Sequence, residues 1–300
     1  MTVQDSCQEF LVYLSTVRGM TDNTITAYSE DYKKLAEFLG ADTEIDKVSL
    51  QDLRFCVGSL SAQKFSVASI NRFIASLRSL FAYSQKFGRL QVNPALQLKS
   101  LKMPKHLPTF MTGTEVDALC EQPQKNELLW ASRDKAIFEA LYSSGCRVAE
   151  LVSLKIGDFS AGAKSAVVKG KGQKDRIVYF EEDARKALAD YLPERKALLA
   201  RLKLPGQKAL FVNEKGGALT TRGLRWILSR YSGTEGTKHP VSPHAFRHTF
   251  ATAMLSGGAD VRVVQEMLGH SSISTTQRYT HVTTQQLIDT YKRAHPHGDK

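Results

Sequence analysis

The sequence predicts a mainly α-helical protein with one small β-sheet, divided into two domains. Apolar residues recur every three to four positions along most of the chain, which predicts helices, and a basic stretch with two prolines just after residue 100 interrupts that pattern. Two short runs rich in β-branched residues flank a tip of Gly and Lys, which predicts a β-hairpin. At 300 residues, the chain has about twice the length of a typical domain.

Composition and charge exclude several classes of protein. Lys and Arg number 41 against 30 Asp and Glu, and 42% of the residues are hydrophobic, which is ordinary for a globular protein and excludes general disorder. The longest uninterrupted apolar run, residues 10–14, is far shorter than the roughly 20 residues that span a bilayer. Asp5 and Glu9 stand where a signal peptide is basic, so we expect a cytoplasmic protein without membrane attachment. Four single cysteines predict reduced thiols.

The first domain, residues 1–100, is predicted to be a small helical domain. Gly40 and Gly88 are helix stop signals. Periodic apolar residues predict four helices, at about 5–17, 24–39, 50–60 and 66–87. In the fourth helix, apolar side chains form one stripe, made of Ile70, Phe73, Ile74, Leu77, Leu80 and Phe81. We expect this stripe to be buried in the domain.

Charge changes sign within the first third of the chain. Residues 1–52 hold four basic and ten acidic residues, whereas residues 53–106 hold nine basic residues and no acidic one. A segment without carboxylates is typical of a surface that faces a polyanion, because Asp or Glu there would repel phosphate. The alternative is a basic face that contacts only solvent. The candidate DNA-binding residues are Arg72, Ser76 and Arg78 on the fourth helix, with Lys102 and Lys105 after it.

Residues 101–108 are predicted to link the first domain to the second, because this stretch is basic, contains prolines and lacks helical periodicity. The second domain is predicted to cover residues 109–300. Its predicted elements are helices at 112–119 and 131–142, a hairpin of strands at 166–168 and 176–180, and helices from Glu182 to the C-terminus.

A helix that begins after Ser242 carries the first candidate site. Ser242 is suited to cap this helix, and Gly257 ends it. His244 and Arg247 fall on one polar face, three residues apart. Because a helix N-terminus offers free N–H groups and partial positive charge, an imidazole and a guanidinium there favour phosphate binding. A zinc protease helix is excluded, since Ala245 stands where Glu is required; a structural ion pair remains the alternative.

Three further segments carry residue types that suit the same chemistry. Arg147 follows a glycine at the start of a helix, and Glu150 lies three residues later, where it can hold or orient the arginine. Lys171 lies between two glycines at the hairpin tip, which gives the backbone freedom that a lysine reaching a substrate needs. His270 follows a glycine that ends a helix, and Tyr279 lies nine residues further on.

In chain order, these motifs resemble those of the tyrosine recombinases, the lambda-integrase family, and the whole chain resembles the bacterial Xer subgroup. The family pattern is matched at all six positions by Arg147, Lys171, His244 with Arg247, the Leu-Gly-His motif that ends at His270, and Tyr279. Cys146 and Phe246 stand where the family usually has Leu; both are apolar and leave the catalytic pattern intact. Ser29 replaces a common Arg, which is expected to weaken one backbone contact.

The resemblance implies a SAM-like DNA-binding domain followed by a tyrosine-recombinase catalytic domain, which together form a C-shaped clamp on DNA. It also implies an enzyme that cuts and rejoins DNA through a 3′-phosphotyrosyl intermediate, with no cofactor and no metal. Tyr279 is the expected nucleophile. Arg147 and Arg247 are expected to grip the non-bridging phosphate oxygens, since guanidinium bonds bidentately and stays charged.

Proton transfer falls to the remaining residues of the pattern. Lys171 is the family's candidate general acid for the leaving 5′-oxygen. A phenol with a pKa of about 10 needs help to lose its proton, and His244 is the expected acceptor, with His270 as a phosphate donor. His248 and His281 are interpreted as structural or supporting groups.

The resemblance also implies partners. They are double-stranded DNA at a dif-like site, further subunits of this chain or a paralogue in a tetramer on two DNA sites, and an activating DNA translocase acting at the nucleoid. A C-terminal helix at about 285–294 carries an apolar stripe that is expected to dock on a neighbouring subunit, although it could instead cap its own domain. Three alternatives remain: a mobile-element integrase, a type IB topoisomerase and a non-catalytic DNA-binding protein.

Overall fold

Two units divide the chain, Met1–His106 and Leu107–Lys300, and each has its own hydrophobic core. The computed structural model describes residues 1–103, 111–126, 128–170, 175–231, 241–269 and 284–296. A search of these described residues finds no helix with the length and hydropathy needed to cross a bilayer.

The described residues 1–103 of the first unit form four α-helices, as predicted. They are α1 Val3–Thr16, α2 Asp22–Leu39, α3 Leu50–Ala62 and α4 Val67–Lys86. Two helix starts are fixed by capping boxes, in which Thr2 pairs with Asp5 and Ser49 with Asp52. Every residue of the predicted apolar stripe on α4 is 2% exposed or less, so that prediction is confirmed.

The second unit surrounds a buried central helix. Its elements are α5 Gly113–Lys125, α6 Ala131–Ser144, α7 Val148–Ser153, β1 Ser165–Lys169, β2 Asp175–Tyr179, α8 Glu182–Arg201, α9 Thr221–Tyr231, α10 Pro243–Ser256, α11 Val261–Leu268 and α12 Thr284–Ala294. Helix α6 packs against α5, α8 and α10, and its middle residues 136–138 are completely buried. The hairpin is antiparallel, with Ser165 opposite Tyr179 and Lys169 opposite Asp175, which confirms the predicted pairing of two strands.

Two predicted helix boundaries in this unit are wrong. Helix α5 continues past residue 119 to Lys125. Pro123 in its last turn lacks the N–H for one helical hydrogen bond, and burial of this residue with Cys120 and Gln122 offsets that loss. Residues 202–220 are not helical. They contain Pro205 with Gly206 and a left-handed Gly216, and the segment folds back so that Val212 and Ala218 form a β-bridge.

Helix α12 packs against its own unit. The Tyr291 hydroxyl donates a hydrogen bond to the Ser143 carbonyl over 3.0 Å, and Tyr291 and Ala294 are buried. The end of α12 crosses Gly257 so closely that a Cβ there would lie 2.1 Å from the Ala294 carbonyl oxygen. The ring of His295 lies 5.0 Å from that of Tyr291. In the single chain, the apolar stripe of α12 is thus covered by its own unit, as in the alternative that the sequence left open. Docking of this helix on a neighbouring subunit stays a prediction.

Candidate active site

A tight turn places Arg147 beside α10. Helix α6 ends at Gly145, which has a left-handed backbone with φ of +58°. A Cβ at this glycine would lie 2.6 Å from the Phe250 side chain, so only glycine allows α6 and α10 to approach this closely. Buried Cys146 follows, and Arg147 is then the N-cap of α7.

Glu150 holds both the backbone and the side chain of Arg147. The Arg147 amide donates to Oε2 of Glu150 over 2.7 Å, and Nη1 of Arg147 donates to Oε1 over 2.8 Å. Burial opposes ionisation of this carboxyl, but hydrogen bonds from Arg176 and Arg147 outweigh it and lower the pKa of Glu150 to about 2. The carboxylate is thus ionised, and it orients the arginine as the sequence predicts.

Helix α10 presents the two residues predicted for its polar face. The Ser242 hydroxyl accepts a hydrogen bond from the Ala245 amide over 3.2 Å, which fixes the helix start. His244 is exposed and Arg247 is half-buried, whereas Phe246 lies in the core. The predicted division of this helix into an apolar face and a polar face is confirmed.

The two predicted arginines meet at the end of α11. Arg247 donates from Nη1 to the Gly145 carbonyl over 2.9 Å and from Nη2 to the Leu268 carbonyl over 2.5 Å. Arg147 donates from Nη2 to the next carbonyl, that of Gly269, over 3.0 Å. Burial, followed by the charges of the neighbouring arginines, lowers the pKa of Arg247 to about 10, which leaves it charged at neutral pH.

A third arginine, Arg176 on β2, completes the cluster and was not predicted. Its Nη1 and Nη2 donate to the two oxygens of Glu150 over 2.7 and 2.8 Å, and its Nε donates to the Met267 carbonyl over 2.9 Å. The available signal was strand alternation, because Arg176 pairs with Val168, which is 1% exposed. Among the described residues, three guanidiniums therefore gather at the end of α11, and the carboxylate of Glu150 bonds two of them. The excess positive charge suits an anion such as a phosphodiester.

The structure brings together part of the predicted site. Arg147, Glu150 and Arg247 converge, and His244 lies one turn before Arg247 on α10. The other predicted catalytic residues, Lys171, His270 and Tyr279, lie outside the described residues. Within the described part of the chain, no three His, Cys, Asp or Glu side chains gather as metal ligands would. All four cysteines are free, in agreement with the predicted thiols, and all four are also buried.

The residues of the first unit that were predicted to face DNA differ in how far they are exposed. Ser76 was expected to face DNA, and this is wrong: the residue is completely buried, its hydroxyl donates to the Phe73 carbonyl, and its own carbonyl accepts a hydrogen bond from Tyr32. The reason is that α2 packs against α4, where this small residue is enclosed.

The basic side chains predicted with Ser76 remain accessible to different degrees. Arg72 donates two hydrogen bonds to buried Asp31, over 3.1 and 2.8 Å, and keeps 40% of its side chain exposed. Arg78 is half-buried and donates to the Leu98 carbonyl. Lys102 is exposed, and Lys105 lies outside the described residues.

Arginines that converge beside a helix start, on a mainly helical scaffold with a basic first unit, define a protein that binds phosphodiesters. Family models identify the class further. Residues 109–286 match the phage integrase family, and residues 7–86 match the phage integrase N-terminal SAM-like domain.

Several curated relatives are similar to this protein over nearly the whole length of the chain. Tyrosine recombinase XerC of Treponema denticola is 42% identical over 300 residues, covering 97% of this chain and 98% of the relative. Tyrosine recombinase XerC of Leptospira interrogans is 37% identical and covers 100% of this chain and 96% of the relative. The crystal structure of XerA recombinase is 28% identical with a TM-score of 0.50, covering 97% of this chain and 99% of that one.

Two more distant structures share the fold. One is the Tn1549 transposon integrase in complex with circular intermediate DNA, which is 19% identical with a TM-score of 0.73 and covers 98% and 100% of the two chains. The other is a lambda integrase dimer bound to a COC′ core site, 16% identical with a TM-score of 0.71 and coverage of 94% and 100%. The chain belongs to the phage integrase family, the tyrosine recombinases, in its XerC/XerD-like subgroup. It is an enzyme that cleaves and rejoins DNA.

Proposed function

We propose that this recombinase acts as a Xer-type enzyme that resolves chromosome dimers at a dif-like site. The observation that carries the proposal is the meeting of Arg147 and Arg247 at the end of α11, directly before the segment that holds His270 and Tyr279 in sequence. The likeness to relatives named XerC over nearly the whole chain supports the Xer type over a mobile-element integrase.

The reaction begins when the Tyr279 phenol oxygen attacks the phosphorus of a phosphodiester. A bond forms between that oxygen and phosphorus, and the bond to the 5′-oxygen breaks. His244 accepts the phenol proton, and Lys171 donates a proton to the leaving 5′-oxygen. The 5′-hydroxyl of a partner strand then attacks the phosphotyrosine, which releases the enzyme and reseals the DNA without ATP because the ester bond is conserved.

Charge stabilisation in this scheme falls to the arginines. The non-bridging oxygens gain negative charge in the transition state, and donors fixed in advance stabilise that charge more than they stabilise the ground state. Arg147 is held at one end by Glu150, yet it keeps 37% of its side chain exposed and can reach a substrate. Arg247 remains charged despite its burial. His270 is proposed as a further donor to the phosphate.

The first unit is proposed to position DNA through the charges that remain accessible. Arg72, Arg78 and Lys102 are the described candidates, with Lys105 beyond them. Contacts to phosphates fix the register of a protein on a duplex without reading its bases. The proposed partners are a second recombinase subunit of the same or a paralogous kind, four subunits on two DNA sites, and a DNA translocase that activates them in the cytoplasm.

A nicked DNA duplex tests the proposal. A nick one or two nucleotides from the cleavage point lets the short fragment diffuse away after cleavage. The DNA strand then cannot be rejoined, and the enzyme stays covalently bound to it. We expect a covalent adduct on a dif-like duplex that is absent with Tyr279→Phe, and exchange between two such sites on one plasmid. An adduct with relaxation of supercoils but no exchange indicates a topoisomerase; preference for the ends of a mobile element indicates an integrase; no adduct at all indicates a binding protein.

A further inference from the structure

We propose, on the basis of the function proposed above, that Arg176 is a positioning residue for DNA cleavage, acting on Arg147 through Glu150. Each oxygen of the Glu150 carboxylate accepts one hydrogen bond from Arg176 and one from Arg147. Oε1 accepts from both Nη1 atoms, and Oε2 accepts from Nη2 of Arg176 and from the Arg147 amide. The carboxylate is therefore fixed on both sides, and it shares its negative charge between two guanidiniums.

This sharing matters for the charge that Arg147 offers to a phosphate. With Arg176 present, one carboxylate serves two arginines, so Arg147 is only partly neutralised. Without Arg176, Arg147 would be the one guanidinium partner that Glu150 keeps among the described residues. The Glu150 carboxylate could then turn and pair fully with Arg147. Glu150 is only 5% exposed, so its carboxylate depends on protein donors for its hydrogen bonds. The guanidinium of Arg147 would then lie away from its present position and be less positive.

Arg176 also belongs to a second arrangement that fixes the site. Three consecutive carbonyls at the end of α11 accept hydrogen bonds from three different arginines: Met267 from Arg176, Leu268 from Arg247 and Gly269 from Arg147. One side chain on β2 thus joins the hairpin, the start of α7 and the end of α11. A displacement of Arg176 would reach both catalytic arginines through this short segment.

The close packing around Arg176 supports a fixed role. Gly269 has a left-handed φ of +63°, and a Cβ at this residue would lie 3.2 Å from Cδ of Arg176. Only 12% of the Arg176 side chain is exposed. The absence of a side chain at Gly269 therefore leaves room for Arg176 to pack against this turn.

Arg195 provides a matched control. It is 5% exposed, lies in the same unit and donates to the carbonyls of Gln207, Ala209 and Leu210, but it has no place in the cluster. Substitution of either arginine removes buried hydrogen bonds, so both lower stability. Only substitution of Arg176 should affect the chemical step.

The experiment measures single-turnover cleavage of the nicked duplex at saturating DNA, with DNA affinity and thermal unfolding measured in parallel. Loss of a residue that orients a functional side chain typically costs about 10- to 100-fold in activity, and we expect a fall of that size for Arg176→Lys and Arg176→Gln. The Arg176→Lys variant keeps the positive charge but cannot bond the carboxylate bidentately, so it tests the geometry of the contact. It also replaces the glutamine variant in the experiment if that variant does not fold. Arg195→Lys should cleave at the rate of the unchanged enzyme.

Two altered substrates distinguish the route of the effect. A methylphosphonate at the cleaved position removes one negative oxygen, so the reaction depends less on Arg147, and the defect of Arg176→Lys should shrink at least several-fold. A 5′-bridging phosphorothiolate has a leaving group that needs no proton, and the defect should remain as it is with ordinary DNA. Cleavage by Arg176→Lys at the unchanged rate, or rescue by the phosphorothiolate, would overturn the role of Arg176. Absence of any adduct with the unaltered enzyme would instead overturn the proposed function.

Discussion

Each unit of this recombinase pairs arginine with a buried carboxylate, but the two pairings have opposite consequences. In the first unit, Arg72 and Asp31 form a pair in which one charge balances the other. In the described part of the second unit, three guanidiniums gather near one carboxylate, so Glu150 can balance the charge of only one of them. The exposed fractions are close, 40% for Arg72 and 37% for Arg147, so burial does not separate the two sites. The two sites differ instead in the excess of arginine over carboxylate, and that excess suits the second site to bind a phosphate.

The comparison is tested most strongly by removing one arginine from each unit. Arg247→Ala is expected to slow cleavage of the nicked duplex by roughly 100- to 1,000-fold, because loss of one donor to a developing anion costs about 3–4 kcal/mol. Arg72→Ala is expected to weaken DNA affinity, so that excess DNA restores the cleavage rate. The measurement is the single-turnover rate against DNA concentration. A loss at saturation as large for Arg72→Ala as for Arg247→Ala would show that the two sites do not differ in kind.

The Arg72–Asp31 pair of the first unit is expected to contribute to the free energy of unfolding. Asp31 is 2% exposed, and Arg72→Ala would leave its carboxylate buried without the guanidinium, at a cost of about 2 kcal/mol in the free energy of unfolding. Replacing both partners with apolar residues of similar size, Asp31→Leu with Arg72→Met, should recover most of that loss. Urea unfolding followed by circular dichroism measures both. If the double variant is no more stable than the single one, the orphaned carboxylate is not the cause.

Two carboxyls of the second unit predict opposite responses to pH. Glu150, with its pKa lowered to about 2, stabilises the fold above its unfolded pKa of about 4.5, and that contribution is lost as pH falls towards 2. Burial and the nearby Glu139 raise the pKa of Glu181 to about 8, so the folded state binds an extra proton between about 4.5 and 8 and loses stability as pH rises there.

Glu181→Gln isolates the second response. The variant should remove a decline in the free energy of unfolding that approaches about 1.4 kcal/mol per pH unit at its steepest. Unfolding in urea at several pH values between 5 and 8 measures the slope. The same slope in the variant and in the unchanged protein would show that Glu181 does not titrate in this range.

The smallest expected effect concerns an exposed charge of the first unit. Lys102→Ala should lower DNA affinity about equally for all sequences and reduce the dependence of log Kd on log salt by about 1, as expected for one lost phosphate contact. Its cleavage rate at saturating DNA should not change. Filter binding at several salt concentrations measures the slope. An unchanged slope would remove Lys102 from the DNA-facing surface.

The sequence was sufficient where a pattern depends on local interactions. The four helices of the first unit begin and end within two residues of their predicted bounds, because apolar periodicity and capping residues are local signals. The polar face of α10 and the support of Arg147 by Glu150 follow from spacing along one helix in the same way. The pairing of β1 with β2 follows from a short connection that leaves few alternatives.

The sequence was insufficient where distant elements meet. Ser76 lies beside arginines on α4, and only the packing of α2 against it decides that it is buried. The role of Arg176 depends on a carboxylate 26 residues away and a carbonyl 91 residues away. Helix α12 has an apolar stripe that fits either its own unit or another subunit, and its approach to Gly257 within the chain depends on residues that lie far apart in sequence.

We propose that a tyrosine becomes joined to DNA beside a cluster of arginines that share the Glu150 carboxylate. Digestion of the trapped adduct, followed by mass spectrometry of the peptide linked to DNA, tests it most directly. We expect a single modified residue, Tyr279, carrying a 3′-phosphate of the cleaved strand. A link through any other residue, or through a 5′-phosphate, would overturn the proposed reaction.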